Sequence, residues 1–121
     1  MIKIVVAGCR DFNDYEIAKK FIDQCLTEAK NENQITFISG CCKGADLLGE
    51  RYALDNGFEI ERFPADWIKY KKAAGVIRNK QMAEASDIVI CFWDGKSKGT
   101  KSMIDLAKKM NKKVFIKFIG E

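Results

Sequence analysis

Residues 2–7 (IKIVVA) are β-branched and apolar with little alternation, the pattern of a strand covered on both faces. A helical period follows over 14–29, where Ala18, Phe21, Ile22, Cys25, Leu26 and Ala29 form one apolar stripe. Asn13 and Glu16 have the spacing of a capping box ahead of it. Residues 34–39 (QITFIS) read as a second strand. Residues 44–55 read as a second helix, with Leu47, Leu48 and Leu54 expected on the core and Asn56-Gly57 ending it. Residues 58–63 (FEIERF) alternate apolar and charged, as a half-exposed edge strand does. A helix over 73–85, a buried strand over 87–92, a helix over 100–110 and a strand over 113–119 complete the chain. Strict alternation of strand and helix predicts one open parallel sheet with helices on both faces and right-handed crossovers. Ligands of such sheets lie beyond the carboxyl ends of the strands.

Three loops occupy those ends: residues 8–11, residues 39–46 and residues 94–100. They hold Gly8, Gly40, Gly44, Gly95 and Gly99, five of the nine glycines. Short strand-to-helix turns use glycine in any case. Arg10, Lys43, Lys96 and Lys98 in the same loops favour an anion site, because helix N-termini present unpaired N–H groups and partial positive charge. The loops match neither a Walker A motif nor GxGxxG, so NTPase and dinucleotide chemistry are not indicated. Arg78 borders the apolar face of its helix, where it must reach solvent or find an anion, and Asn79 beside it is a second polar candidate. Asp46 and Glu50 share a helix face and could bind ribose hydroxyls or act as a general base. The stretch 63–72 (FPADWIKYKK) offers Trp67 and Tyr70 for stacking, but reads first as a subunit contact or a lid.

Composition narrows the chemistry. The 121 residues suit one domain over 1–121, and no run of about 18 apolar residues predicts a membrane span. Met1 leads directly into the first strand, with no secretory signal pattern. The absence of histidine excludes Ser-His and Cys-His catalysis and histidine-bound metal. Five cysteines, odd in number and without a CxxC pair, are expected as reduced thiols in a cytoplasmic protein. Cys9, Cys41 and Cys91 gather near the loop edge, but their spacing fits no zinc pattern, so neither metal nor cofactor is expected. A net charge of +4 without an extended basic stripe leads to the expectation that nucleic acid is not a partner.

Four segments, AGCRDF (7–12), ISGCCKGADLLGERYA (38–53), ADWIKYKKAAGVIRNKQM (65–82) and ASDIVICFWDGKSKGT (85–100), make the chain resemble the YspA-like proteins of the SLOG superfamily, a Rossmann-like group that includes the Smf/DprA and LOG proteins. The resemblance implies a three-layer α/β/α domain with a five-stranded parallel sheet in the order 3-2-1-4-5. It also implies a site for nucleotides or nucleotide-derived molecules. By position, Gly8, Cys9 and Arg10 fall in the first loop; Ser39, Gly40, Lys43, Gly44 and Asp46 fall in the second. Arg78 and Asn79 match an arginine-asparagine pair. Gly95, Ser97, Gly99 and Thr100 match a phosphate-binding turn; Asp94 stands where that turn has proline, and Lys96 lies within it as a further candidate. LOG enzymes, which cleave a base from a nucleoside monophosphate, carry a glutamate soon after this turn. Here Lys101, Ser102 and Met103 follow Thr100, so that glutamate is missing. The expected function is therefore binding, as sensor or sequestering module, of a nucleotide-derived small molecule. The alternative is an N-glycosidase or phosphoribohydrolase that uses Asp46 or Glu50, and single-stranded nucleic-acid binding, by analogy with DprA, ranks third. A dimer or tetramer is expected from the apolar 63–77 segment.

Overall fold

In the computed structural model, which describes residues 1–27, 29 and 34–120, five parallel strands form one sheet in the order 3-2-1-4-5. The strands are β1 (Ile2–Gly8), β2 (Ile35–Ser39), β3 (Glu59–Arg62), β4 (Ile88–Trp93) and β5 (Lys113–Phe118). The helices are α1 (Tyr15–Cys25), α2 (Ala45–Asp55), the short α3 (Trp67–Tyr70), α4 (Ala74–Ala85) and α5 (Lys98–Lys109). The central strand β1 explains the unbroken apolar run: successive side chains point to opposite faces, and both faces are covered. Ile4 and Val6 join Ile88, Ile90 and Phe92 under α1 and α2. Val5 and Ala7 join Val89 and Cys91 under α4 and α5. The fold is thus the three-layer Rossmann-like α/β/α arrangement with the expected strand order.

On α1 the stripe is real: Ala18 and Ile22 are fully buried, and Leu26 just beyond the helix is too. Each large aliphatic side chain removed from water contributes about 1.5–3 kcal/mol. The expected helix over 14–29 includes Glu28, which lies outside the described residues. Its cap is Asp14, not Asn13: the Asp14 carboxylate accepts from the Ile17 amide at 3.2 Å.

The core face of α2 also differs from the expectation. Leu47 and Leu54 are exposed, whereas Ala45, Asp46, Leu48, Gly49, Tyr52 and Ala53 are buried. Positions 45, 48, 49, 52 and 53 keep helical phase, and that phase outranks the greater hydrophobicity of the two leucines. Gly49 lets α2 lie close to the sheet, since a Cβ there would stand 2.6 Å from the Val6 Cβ. The helix ends as expected at Asn56-Gly57, where Gly57 has φ +73° and the Phe58 amide returns to the Ala53 carbonyl at 2.8 Å. Among the described residues no helix is long and apolar enough to cross a membrane.

Candidate functional site

The first two loops are pressed together at the sheet edge. The Cys9 carbonyl accepts from the Phe12 amide at 3.3 Å and from the Ala45 amide, the first of α2, at 3.2 Å. Gly44 caps α2 at φ +86°, and a Cβ there would lie 2.4 Å from the Cys9 oxygen. Only glycine meets both conditions. Gly8 is required for a related reason: its Cβ would strike the Phe92 carbonyl oxygen at 2.3 Å, on the strand with which it is in register. Among these glycines, Gly8 and Gly44 serve packing of the loops rather than approach by a ligand.

The third loop is held by its own side chains. The Asp94 carboxylate accepts from the amides of Lys96 and Ser97, both at 2.8 Å. Those bonds, first from Ser97 and then from Lys96, hold its pKa below the usual aspartate value. Ser97 then caps α5, accepting from the Thr100 amide at 3.4 Å and from the Thr100 hydroxyl at 3.1 Å. The expected phosphate turn therefore has part of its amide set turned inward. The first-turn N–H groups of Lys98 and Gly99 have no partner within the helix. A Cβ on Gly99 would meet nothing within 4 Å, so the backbone there is open to an approaching group.

Asp46 and Arg78 meet beneath the loops. Both are buried, at 6% and 7% exposure. Both crowd Gly40: a Cβ on it would lie 2.7 Å from Asp46 Oδ2 and 2.9 Å from Arg78 Nη1. Arg78 donates from Nη1 to the Gly40 carbonyl at 2.6 Å and from Nε to Asn79 Oδ1 at 3.0 Å, and its Nη1 lies 3.7 Å from the Cys42 sulfur. Asp46 accepts from the Cys42 amide at 3.3 Å. Burial raises its pKa to about 6, although the Cys42 amide and the Arg78 charge act in the opposite direction. An acid of that strength is poised to exchange a proton near neutrality.

These groups line a cleft of about 530 Å³. Eleven residues expected at a site come together there: Gly8, Cys9, Arg10, Lys43, Asp46, Arg78, Asn79, Asp94, Ser97, Gly99 and Thr100. Ser39, Gly40, Gly44, Gly95 and Lys96 do not line it: Ser39 is buried, Gly40 lines a neighbouring recess, and Gly95 and Lys96 are exposed. Glu50 does not face the cleft. Its carboxylate accepts from the Ser39 hydroxyl at 2.6 Å and from Arg62 Nη2 at 2.8 Å, and the arginine and serine bonds outweigh burial to lower its pKa. The sequence reading missed Ala7, Asp11, Cys42, Met82 and Met103 as lining residues. Cys42 carried a legible signal, since it stands two residues past Gly40 in the second loop. The two methionines read only as core. The cleft is of mixed sign, with Arg10, Lys43 and Arg78 facing Asp11, Asp46 and Asp94.

Charge is uneven beyond the cleft as well. Residues 95–117 hold eight lysines against Asp105 alone, a net charge of +7, while the whole chain carries +4. Seven of those lysines are exposed, so a basic surface is present that the net charge conceals. All five cysteines are free: Cys9, Cys25 and Cys91 are buried and Cys41 is exposed.

Comparison with known proteins places the chain. It is 35% identical over 117 residues to the gene 61 protein of Mycobacterium phage D29, covering 90% of each. Its fold matches DNA processing protein A (DprA) from Streptococcus pneumoniae with a TM-score of 0.74 at 19% identity, over 96% of this chain and 50% of that one. It matches DprA from Helicobacter pylori with a TM-score of 0.65 at 20% identity, over 95% of this chain and 64% of that one. The chain thus spans about half to two thirds of these DprA chains. The H. pylori protein is described by its mode of binding single-stranded DNA. The expectation that nucleic acid is not a partner is therefore withdrawn: it rested on a mild net charge and on the lack of an extended basic stripe, and the exposed lysines of residues 95–117 show how little net charge says of local charge. The model of the YspA, cpYpsA-related SLOG family matches residues 2–70, and the chain belongs to that family.

Proposed function

We propose that the cleft binds a nucleotide or nucleotide-derived small molecule and that the protein senses or sequesters it. Membership of the SLOG family and the DprA-like fold fit a nucleotide- or nucleic-acid-binding role. One observation carries the reading further. Three loops from β1, β2 and β4 surround one cleft, with the open amides of the α5 N-terminus and the cations Arg10 and Lys43 at its rim and Asp46 and Arg78 on its floor. Helix-terminal amides and cations suit a phosphate. A buried acid beside an arginine suits ribose hydroxyls or base edges. The five free cysteines fit a reducing, cytoplasmic setting.

Titration calorimetry and thermal unfolding with AMP, ADP-ribose, inorganic phosphate and a ten-residue oligothymidylate test the proposal. A nucleotide at a hundred times its Kd stabilises by about 2.7 kcal/mol, a shift of several degrees in Tm. Mass spectrometry should recover it unchanged. No binding and no shift with any nucleotide probe would refute the reading.

A second reading rests on Asp46 alone. A buried carboxyl with a pKa of about 6 that faces the cleft is suited to general acid or base work in N-glycoside hydrolysis. Glu50, the other acid considered, is engaged by Ser39 and Arg62. This reading requires release of free base from a nucleoside monophosphate, and loss of that release in Asp46→Asn.

A further inference from the structure

Beside the cleft lies a recess of about 420 Å³ for which the phosphate-binding reading has no use. Trp67 and Pro64 form one of its walls. Arg10, Cys42, Lys43 and Arg78 line both spaces, so recess and cleft join across the second loop. Trp67 opens α3, whose first turn is fixed by Asp66: its carboxylate accepts from the Lys69 amide at 3.0 Å. The far edge of the indole lies near Gly75 of α4, 3.7 Å from where a Cβ on that residue would stand. The residue remains 55% exposed. A large aromatic surface left in water beside Arg10, Lys43 and Arg78 has an unmet hydrophobic demand, and a nucleobase offers the planar, apolar face that meets it.

We infer that Trp67 is the stacking platform of a base subsite, so that a bound nucleotide straddles the second loop with its phosphate in the cleft and its base in the recess. This rests on the nucleotide reading above and adds where the base lies and what holds it. The base can belong to a free nucleotide or to a single strand; the chemistry at Trp67 is the same for both.

Affinities for AMP, for ribose 5-phosphate and for a ten-residue oligothymidylate are to be measured by calorimetry on the wild type, Trp67→Ala and Trp67→Phe. Tm checks that each variant is folded, as expected for an exposed position. The wild type should prefer AMP to ribose 5-phosphate by about 5- to 150-fold, the range of one base stacked on an aromatic ring. Trp67→Ala should bring that ratio close to one without weakening ribose 5-phosphate, and Trp67→Phe should keep most of it. Oligothymidylate binding that is lost in Trp67→Ala while AMP does not bind would assign the platform to a single strand. Equal binding of AMP and ribose 5-phosphate by the wild type, or full AMP preference in Trp67→Ala, overturns the subsite and leaves the nucleotide reading intact. Failure of all three probes to bind the wild type overturns both.

Discussion

Asp46 shows how one side chain is set by its surroundings. In the folded protein it titrates at about 6, against 3.8 for an ordinary aspartate. Between those values the folded protein keeps a proton that the unfolded chain has released. Its contribution to stability therefore falls as pH rises through that window, and the full penalty, on the order of 3 kcal/mol, is present above pH 6. Urea midpoints of the wild type should rise relative to Asp46→Asn as pH falls from 7.5 to 4.5. Parallel curves would show that the carboxyl is not perturbed. Glycines make a second residue-scale contrast. Gly44 has positive φ and no room, so Gly44→Ala should destabilise by roughly 2 kcal/mol or more. Gly99 faces open space in the first turn of α5, so Gly99→Ala should change stability by less than about 1 kcal/mol yet weaken phosphate binding. Urea denaturation and calorimetry separate the two effects.

At the scale of elements, most of the fold was legible because strand and helix alternate with strong periodicity. Boundaries and faces were less so. In α1 the cap shifted by one residue, because an aspartate and an asparagine stand side by side and both can cap. Asp14→Ala should cost about 1 kcal/mol of unfolding free energy, and Asn13→Ala under about 0.5 kcal/mol, in paired denaturant titrations. Reversed costs would return the cap to Asn13. In α2 two leucines drew attention away from the smaller residues that hold the buried phase. The short α3 was not foreseen, since four residues give no period to read. The third loop was found by its glycines and donors, but the turn of the Asp94 carboxylate onto its amides is a tertiary outcome that spacing does not encode.

For the whole molecule, net charge was the least informative number. The lysines of residues 95–117 give that segment, which holds α5 and β5, a net charge of +7 and leave the remaining residues slightly acidic. Lys98 starts α5 at the cleft, and Lys101 and Lys109 continue along that helix. Affinity for oligothymidylate should fall with salt, and replacing these three lysines with Gln should make the slope of log affinity against log salt shallower by about 2. An unchanged slope in a filter-binding or anisotropy series would place the phosphate contacts elsewhere. The likeness to DprA extends to the fold, and the proposed nucleotide binding rests on the cleft's own donors.

The close seat of α2 on the sheet has one more effect. Gly49 sets how low the helix sits, and Asp46 rides on its first turn less than one full turn away. A single methyl at 49 would lever the helix upward and let water reach the carboxyl. Gly49→Ala should therefore make Asp46 a stronger acid, a change visible as a lower midpoint when its carboxyl carbon is titrated by NMR; an unmoved midpoint would break the link. A position outside the cleft would then govern the acidity of the buried carboxyl that lines it.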